Sequence, residues 1–502
     1  MDTNKELIFG LKIKQLRLEK GYSLQELAQK TGIAVSYLNE IEKAKKYPRP
    51  DKIKLLAQAL DVSVQELTSP QLSENLKPIE ILINSHLFTE QSLEIFGLAK
   101  IGIVSLFSDK PSKANAFIRT LLELARNYDL SRERFYMAIL RSYQEMHENY
   151  FEEIEVQAQA FRQKYHIGQE QSVDKLYLQK ILEENYHYKV DFLNLHQYPD
   201  LQTLRTVMQP KQKASQKNIL WLNPKLSETQ QIFALAREIG YNFLQLKERV
   251  YTSTWVRANS FEELLHNYQA SYFAGALLIP ALQLKADLAH LFQQDFWSEE
   301  IFLAIMRKYK ASPEMFLHRF ISIITHYFNI KKLFFLRFTH QRNTQNFILD
   351  KELHLSDLHN PHATNLHEHY CRRWISLDIL RQLEQRQTMG QNEIMCKTQI
   401  SQYYDSPNEY FCISIARNLP NASEINTSVT IGLLINEDLK KIIRFVEDKK
   451  VLKRQVGVSC EKCAAINCQE RAAEAIYVHQ RLKNEKILQS LEKLQKQTLS
   501  QS

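Results

Sequence analysis

The sequence predicts a mainly α-helical chain with an α+β C-terminal part, divided into several domains. Glycine is scarce, with 11 residues among 502, and proline is modest at 13, which favours helices. Apolar residues recur at helical spacings through much of the chain, whereas β-branched and aromatic runs begin near residue 186. At about 100–200 residues per domain, this length corresponds to three or four domains.

The N-terminal segment, residues 5–69, predicts a bundle of five short helices. Leucines and isoleucines at helical spacing indicate a first helix over residues 5–20. Ser23 and Glu26 have the spacing of a capping box at the start of a second helix. A third helix begins near Ala34, and two more follow. Two short helices joined by a glycine-containing turn are typical of a DNA-reading unit.

Basic residues follow the third helix. Between Lys43 and Lys54 there are six basic residues against one acidic residue, Asp51. Such a cluster would lie beside the DNA backbone phosphates. The alternative is a solvated, charged loop on a small helical bundle. The predicted contacts with double-stranded DNA are the exposed face of the third helix and the basic segment after it: Ser36, Tyr37, Asn39, Lys43, Lys45, Lys46 and Arg49.

These segments resemble the Cro/C1-type (XRE) helix-turn-helix family, most clearly in Leu24–Ala28, Tyr37–Glu42 and Leu56–Leu60. The resemblance implies that Gln25 lies over the DNA backbone and that the exposed face of the third helix meets base edges. Lys43-Ala44 stands where members usually have a glycine. We therefore expect a sequence-specific transcription regulator. We also expect a homodimer, because one helix-turn-helix reads only a few base pairs.

The middle of the chain contains no catalytic spacing before residue 165. Residues 70–78 are polar with a proline at both ends and are predicted to be a linker. Residues 79–164 are predicted to be a helical region, interpreted as a spacer that is also a candidate for dimerisation. β-leaning runs at 186–192 and 219–222 precede a helix at 230–244, which indicates a small α+β domain.

The helix at 230–244 resembles the active-site helix of the ImmA/IrrE-type, zincin-like metallopeptidases, which carries His-Glu-x-x-His. The two histidines of that motif bind zinc, and the glutamate is the general base. Here the two ligand positions are Arg237 and Tyr241, and only Glu238 is kept. Arginine offers no acceptor to a cation. We expect a degenerate domain over residues 165–325 and no enzymatic activity. A zinc metallopeptidase that cleaves a repressor is the alternative.

The C-terminal part, residues 326–475, is predicted to be an α+β sensor domain, with strands at 333–338, 410–416 and 428–434. Cys460, Cys463 and Cys468 follow a glycine with spacings of two and four residues. In a cytosolic chain these thiols are candidate ligands of a soft metal centre. Cys371 is the candidate fourth ligand. Zinc and an iron–sulfur cluster (4Fe–4S) are the candidate metals, and free redox-active thiols are the alternative.

In its motif order, from about residue 5 to 475, the chain is similar to the short-chain fatty-acyl regulators of bacteria. That family joins an XRE head to a degenerate peptidase-like domain and a cysteine-bearing domain. The resemblance implies a small-molecule effector, a short-chain acyl-CoA or related metabolite. It also implies an iron–sulfur cluster on the cysteines. An iron–sulfur redox sensor without an acyl ligand is the alternative.

Two further expectations concern location and the tail. The chain contains no run of about 18 apolar residues, and its start lacks an apolar signal-peptide core, so we expect a cytoplasmic protein with no membrane partner. The tail, residues 476–502, is predicted to be helical or disordered. Its isoleucine and leucines suit either a short dimerising helix or a frayed, solvated one.

Overall fold

The computed structural model describes residues 3–71, 132–168, 173–213, 216–252, 260–355 and 368–500, apart from positions 405, 421 and 466. The chain divides into two units, one of residues 1–143 with 257–265 and one of residues 144–256 with 266–502. Most of the predicted linker and of the predicted helical region lies outside the described residues. The predicted fold class is confirmed, with a helical N-terminal head and sheets in the C-terminal part.

The head consists of five helices, as predicted. Leu27, Leu38, Ile41, Leu56 and Leu60 are fully buried at its centre, which is the packing expected from their spacing. The helices are α1 (Thr3–Glu19), α2 (Leu24–Thr31), α3 (Val35–Glu42), α4 (Pro50–Leu60) and α5 (Val64–Thr68).

A three-stranded sheet and its helices follow. The sheet has the order β1-β3-β2, with β1 parallel and β2 antiparallel to β3, so that β2 is an edge strand. Helices α8 and α9 pack against each other. The elements are α6 (Arg132–Met146), α7 (Glu152–Lys164), α8 (Lys175–Asn185), β1 (Tyr188–Phe192), β2 (Thr206–Gln209), β3 (Asn218–Leu222) and α9 (Glu228–Phe243).

A buried ion pair connects α7 with the helices that come later in the chain. The elements concerned are α10 (Phe261–Leu278), α11 (Ala281–Phe292), α12 (Glu299–Lys308) and α13 (Pro313–Phe328). Glu155 of α7 binds the guanidinium of Arg319 and accepts a hydrogen bond of 2.7 Å from Tyr272. Helix α7, which the sequence assigned to the helical region, therefore belongs to the second unit.

A six-stranded sheet forms the C-terminal part, in the order β5-β4-β8-β7-β6-β9. All neighbours are antiparallel except β6 and β9. Helix α14 packs on one face, where the amides of Gln387 and Asn426 bind each other at 2.9 and 2.8 Å. The elements are β4 (Leu333–Gln341), β5 (Phe347–His354), α14 (Ile375–Thr388), β6 (Met395–Tyr403), β7 (Glu409–Leu419), β8 (Ala422–Leu434), α15 (Glu437–Ile442) and β9 (Lys453–Val456).

The tail forms one helix, α16 (Ile476–Ser500), in agreement with the helical alternative. Leu482, Ile487, Leu488 and Leu491 are exposed along it. Within the described ranges, no helix is both long and apolar enough to cross a membrane.

Candidate functional site

Local hydrogen bonds determine where α2 begins, and one close packing contact brings α1 against α3. The predicted capping box is present. Glu26 N donates to Ser23 Oγ at 3.1 Å, and Ser23 N donates to a Glu26 carboxylate oxygen at 2.6 Å. These hydrogen bonds lower the pKa of Glu26. Helix α1 approaches α3 at Gly10, where a Cβ would lie 2.5 Å from the carbonyl oxygen of Ile41.

The predicted DNA-contacting residues share the accessible surface of the head. Gln25 on α2 and Ser36 on α3 are exposed, and Tyr37 and Asn39 are partly exposed. Hydroxyl and amide groups at such positions can donate to and accept from base edges in a major groove. The structure thus leaves these four side chains available to a duplex.

The segment after α3 forms a tight turn without the usual glycine. Ala44 has φ 54°, in the left-handed region. Its N–H donates to Ile41 O at 2.9 Å, and Lys45 N–H donates to Glu40 O at 2.8 Å, which closes the end of the helix. The turn leaves Lys45, Lys46 and Arg49 exposed and Lys43 partly exposed.

One predicted phosphate contact is already engaged within the head. The ammonium of Lys46 lies 2.9 Å from a Glu40 carboxylate oxygen and 5.7 Å from the centre of the Tyr37 ring. The hydrogen bond to Glu40 raises the pKa of Lys46. Binding a DNA phosphate through Lys46 would therefore compete with this exposed ion pair, whereas Lys45 and Arg49 form no such pair among the described residues.

A buried ion pair within the head was not predicted from the sequence. Arg17 on α1 binds both carboxylate oxygens of Glu42 at 2.6 and 2.9 Å, and its third nitrogen donates to Tyr22 O at 2.7 Å. The pair joins the ends of α1 and α3. Its two members are 25 residues apart in sequence, so no local spacing indicates it.

The degenerate peptidase site lies on α9. Arg237 and Tyr241, at the former ligand positions, donate hydrogen bonds to Thr206 at 2.9 Å and to Asn267 at 3.2 Å, respectively. Burial lowers the pKa of Arg237 and raises that of Tyr241 to about 12. Both side chains are occupied by protein partners, and neither one offers a cation an available lone pair at neutral pH.

The retained Glu238 is paired with an arginine that the sequence analysis did not identify. Arg249 donates two hydrogen bonds of 2.8 Å to its carboxylate and lies 4.3 Å from the centre of the Tyr241 ring. Burial alone would raise the pKa of Glu238, but the nearby Arg249 outweighs it, and the pKa is lowered. A guanidinium thus supplies the positive charge beside this carboxylate.

The chain segment that carries Arg249 also covers the edge of the small sheet. Met208 N–H donates to Tyr251 O at 2.7 Å, and Val207 forms an antiparallel bridge with Thr252. An extended peptide can bind a sheet by pairing with such an edge. Here the chain's own residues 251–252 occupy that position on β2, and the same segment places Arg249 on Glu238. The geometry therefore offers neither a metal site nor an open peptide edge at this point.

Two chain segments bring the predicted cysteines into one neighbourhood. Residues 369–371 and 458–460 pair as short strands. Cys371 N–H donates to Val458 O at 3.3 Å, and Cys460 N–H donates to His369 O at 2.8 Å. The pairing continues through a bridge between Tyr370 and Ser459. In this register Cys371 is opposite Val458 and Cys460 is opposite His369, so the two cysteines are diagonal neighbours on one face of the pairing. They are 89 positions apart in the sequence (460 − 371).

Gly457 lies at the centre of this cysteine segment. Its N–H donates to Cys371 Sγ at 3.4 Å, and a Cβ on it would lie 2.9 Å from Cys463 Sγ. Arg471 donates to the backbone carbonyls of Cys460 and Cys463 and so holds the loop together. Cys468 is less buried than the other three.

The thiols as placed here do not form a ligand set. Across the described ranges, no group of three or more histidine, cysteine, aspartate or glutamate side chains could hold a metal ion. Burial raises the pKa of Cys371 to about 11 and also raises that of Cys463, so both are protonated at neutral pH. A metal would have to displace these protons. The predicted zinc or iron–sulfur centre stays a prediction.

Two family models match different parts of this chain, one in the head and one in the second unit. A helix-turn-helix family model matches residues 13–67, and a model described as an IrrE N-terminal-like domain matches residues 197–320. The second range contains Arg237, Glu238, Tyr241 and Arg249. The predicted combination of an XRE-type head with an ImmA/IrrE-like domain is confirmed.

Relatives of the head are bacterial regulators. The chain is 48% identical over 61 residues to the HTH-type transcriptional regulator SinR of Bacillus subtilis, which is 12% of this chain and 55% of SinR. The chain therefore spans about half the length of SinR. It is 38% identical over 64 residues to the HTH-type transcriptional regulator YazB of the same species, 13% of this chain and 93% of YazB.

Two further comparisons extend beyond the head. The chain is 27% identical over 129 residues to the propionyl-CoA carboxylase regulator of Cereibacter sphaeroides, which is 26% of each protein. A solved structure of a Mycobacterium tuberculosis transcriptional regulator matches 66% of this chain and 92% of its own, at 15% identity. Its TM-score of 0.45 is too low to support an inference about fold.

Proposed function

Because this chain belongs to the family of HTH-type transcriptional regulators, we propose that it binds operator DNA through α3 and the basic segment 43–49. The observation that carries this proposal is the accessible face of α3, with Ser36 exposed and Tyr37 and Asn39 partly exposed, together with the exposed Lys45 and Arg49 in the segment after it. Polar side chains on α3 would read bases, and the cations would bind phosphates. We propose a homodimer, because two copies double the length of the site that is read.

The DNA proposal is tested by fluorescence anisotropy of the full chain with DNA from upstream of its own gene and with random DNA. In K45Q/R49Q, binding should weaken on both DNAs, and the slope of log K against log salt should fall by about 2. In N39A, specific binding should weaken by about 1–3 kcal/mol with little change on random DNA.

A matched control is K20Q, because Lys20 forms an exposed ion pair with Asp61 and does not flank α3. Its binding should equal that of the wild type. Equal affinity of the wild type for upstream and random DNA would contradict sequence-specific binding, and an unchanged salt slope in K45Q/R49Q would contradict the assigned phosphate contacts. Sedimentation velocity of the full chain tests the homodimer.

We further propose that the second unit senses a short-chain acyl-CoA or a related metabolite. The similarity to the propionyl-CoA carboxylase regulator over 129 residues supports this proposal. An effector that binds one DNA-binding state better than the other shifts operator occupancy. Propionyl-CoA should therefore change the affinity for operator DNA in the anisotropy assay, and unchanged affinity with propionyl-CoA, acetyl-CoA and free CoA would contradict an acyl-CoA effector.

A second candidate function is redox or metal sensing by the cysteine segment. Cys371 and Cys460 are buried on two paired segments, and Cys463 is buried beside Gly457, and this arrangement favours the candidate. Anaerobic purification with an absorbance spectrum and iron, sulfide and zinc analysis tests it. A colourless protein without these elements excludes a metal centre, and DNA affinity that does not change on thiol oxidation excludes a redox response.

A further inference from the structure

We propose that the second unit contains an anion site for a phosphate group, formed by Arg205, Arg337, Lys351 and Arg417 beside the start of α13. The site is separate from the DNA-reading head. The site would bind phosphate whether or not the head binds DNA. It rests on the proposed effector in one respect, because acyl-CoA carries phosphate groups that could occupy it.

The register of the large sheet places three of these cations on one face. Arg337 on β4 lies opposite Lys351 on β5, and Thr339, two residues further along β4, is opposite Thr427 of β8. Thr427 is in turn opposite Arg417 on β7. Since side chains two residues apart point to the same side of a strand, Arg337, Lys351 and Arg417 share a face. Leu336 and Phe338 point to the other face, into the core beneath α14.

Carboxylates neutralise only part of this charge. Glu314, in the first turn of α13, lies 2.5 Å from Lys351, 3.6 Å from Arg337 and 3.8 Å from Arg205. Asp350 lies 3.2 Å from Arg337. Arg205 makes a further contact of its own. The other three cations, against two carboxylates, leave one positive charge in surplus.

His318, which is also close to Glu314, adds no charge to this balance at neutral pH. His318, one turn along α13, is buried, and burial together with the charge of Lys351 lowers its pKa to about 4. It is therefore neutral. Burial alone would raise the pKa of Glu314, but the nearby cations hold it well below its usual range. Glu314 is therefore ionised at neutral pH and is one of the two carboxylates.

Arg417 is the member of the cluster that lacks a partner. It is partly buried, and among the described residues its guanidinium forms no hydrogen bond and no ion pair within 4.0 Å. Burial lowers its pKa to about 10, with the charge of Glu314 acting in the opposite direction. The guanidinium is thus charged at neutral pH. A partly buried guanidinium with no protein partner can donate its N–H groups to an external anion, which makes Arg417 the member of the cluster best placed to bind one.

The donor set indicates a phosphate rather than a halide. Guanidinium groups offer parallel N–H donors that match two oxygens of a phosphate, and several arginines around one point are typical of phosphate recognition. The N-terminus of α13, a helix of 16 residues, carries a partial positive charge that also favours an anion.

The test is calorimetric titration of the full chain with inorganic phosphate, at constant ionic strength balanced with chloride. We expect saturable binding of one phosphate per chain. In R417Q, and in R337Q as a second variant, the affinity should fall by about ten- to hundredfold, the effect expected of lost hydrogen bonds to a charged group. R386Q is the matched control, because Arg386 is an exposed arginine on α14, the helix on the other face of the sheet.

The head variant K45Q/R49Q separates this site from the DNA-binding surface and should bind phosphate as the wild type does. Absence of saturable binding, equal affinity in R417Q, or loss of binding in the head variant would overturn the proposal. CoA added as a competitor tests the source of the phosphate. Displacement supports the anion site as part of the effector site, and phosphate binding without displacement supports the anion site while contradicting CoA as its occupant.

Discussion

Replacing Arg249 by methionine tests whether this guanidinium has taken over the role of a metal as the counter-charge of Glu238. Glu238 is 1% exposed and Arg249 is 11% exposed, and two hydrogen bonds of 2.8 Å join them. Removing one member of such a buried pair leaves an uncompensated charge, which costs about 3–5 kcal/mol. Removing both, in E238M/R249M, should cost little, because buried pairs often exchange for apolar residues without loss.

The dependence of stability on pH should also change sign in R249M. In the wild type the pKa of Glu238 is lowered, so its contribution to stability is present above about pH 4.5 and is lost on acidification. Without Arg249, burial dominates and raises the pKa. The folded state then favours the protonated acid, and stability is lost as the pH rises above about 4.5. R249M should therefore be less destabilised relative to the wild type at pH 5 than at pH 8.

Urea unfolding at pH 5 and pH 8 is monitored by hydrogen exchange mass spectrometry, using peptides from β1 to α9 as the readout. The exchange readout isolates this domain in a chain that need not unfold in one step. K247M is the control, since Lys247 is exposed on the same segment. A loss below about 1 kcal/mol in R249M, or the same pH dependence as the wild type, would refute the assigned counter-charge role.

Three further changes have defined outcomes. Ala44→Gly should stabilise the head by about 1 kcal/mol in thermal unfolding, because φ is 54° there, and a lower melting temperature would contradict the assigned turn. Arg17→Met should destabilise the head by about 3–5 kcal/mol and R17M/E42M should recover most of the loss, as measured by hydrogen exchange of α3. Gly457→Ala should displace the Cys463 thiol, so faster alkylation by iodoacetamide is expected on peptide mass spectrometry, and an unchanged rate would contradict the packing at 2.9 Å.

The elements that the sequence predicted are those whose signals are local. The capping box at Ser23 needs only two residues three positions apart, and the buried strands β4 and β7 are continuous apolar runs. The edge strand β5 was missed because three consecutive charged residues, Asp350, Lys351 and Glu352, interrupt its apolar pattern. The first residues of β8 are polar, yet Asn426 is fully buried, since Gln387 from α14 satisfies its amide.

Site residues that belong to a local sequence motif could be predicted. Partners that reach the site from a distant part of the chain could not. Arg237 and Tyr241 could be read as lost ligands from the helix alone. Arg249 could not be identified as the partner of Glu238, because it reaches the carboxylate only through the turn that follows α9 and the pairing of residues 251–252 with β2. The sequence predicted convergence of the cysteines, but their distances depend on backbone pairing that no spacing encodes.

Internal charge compensation occurs within each of the two units, and one residue departs from it. Three buried or largely buried carboxylates, Glu42, Glu155 and Glu238, each bind an arginine through both oxygens. In each pair the chain supplies both charges, so each pair is complete without a ligand. Arg417 follows the opposite pattern, because its cluster holds more cations than carboxylates and its guanidinium forms no hydrogen bond among the described residues. Since these three carboxylates are satisfied internally, an arginine without a protein partner favours a site that an external anion completes.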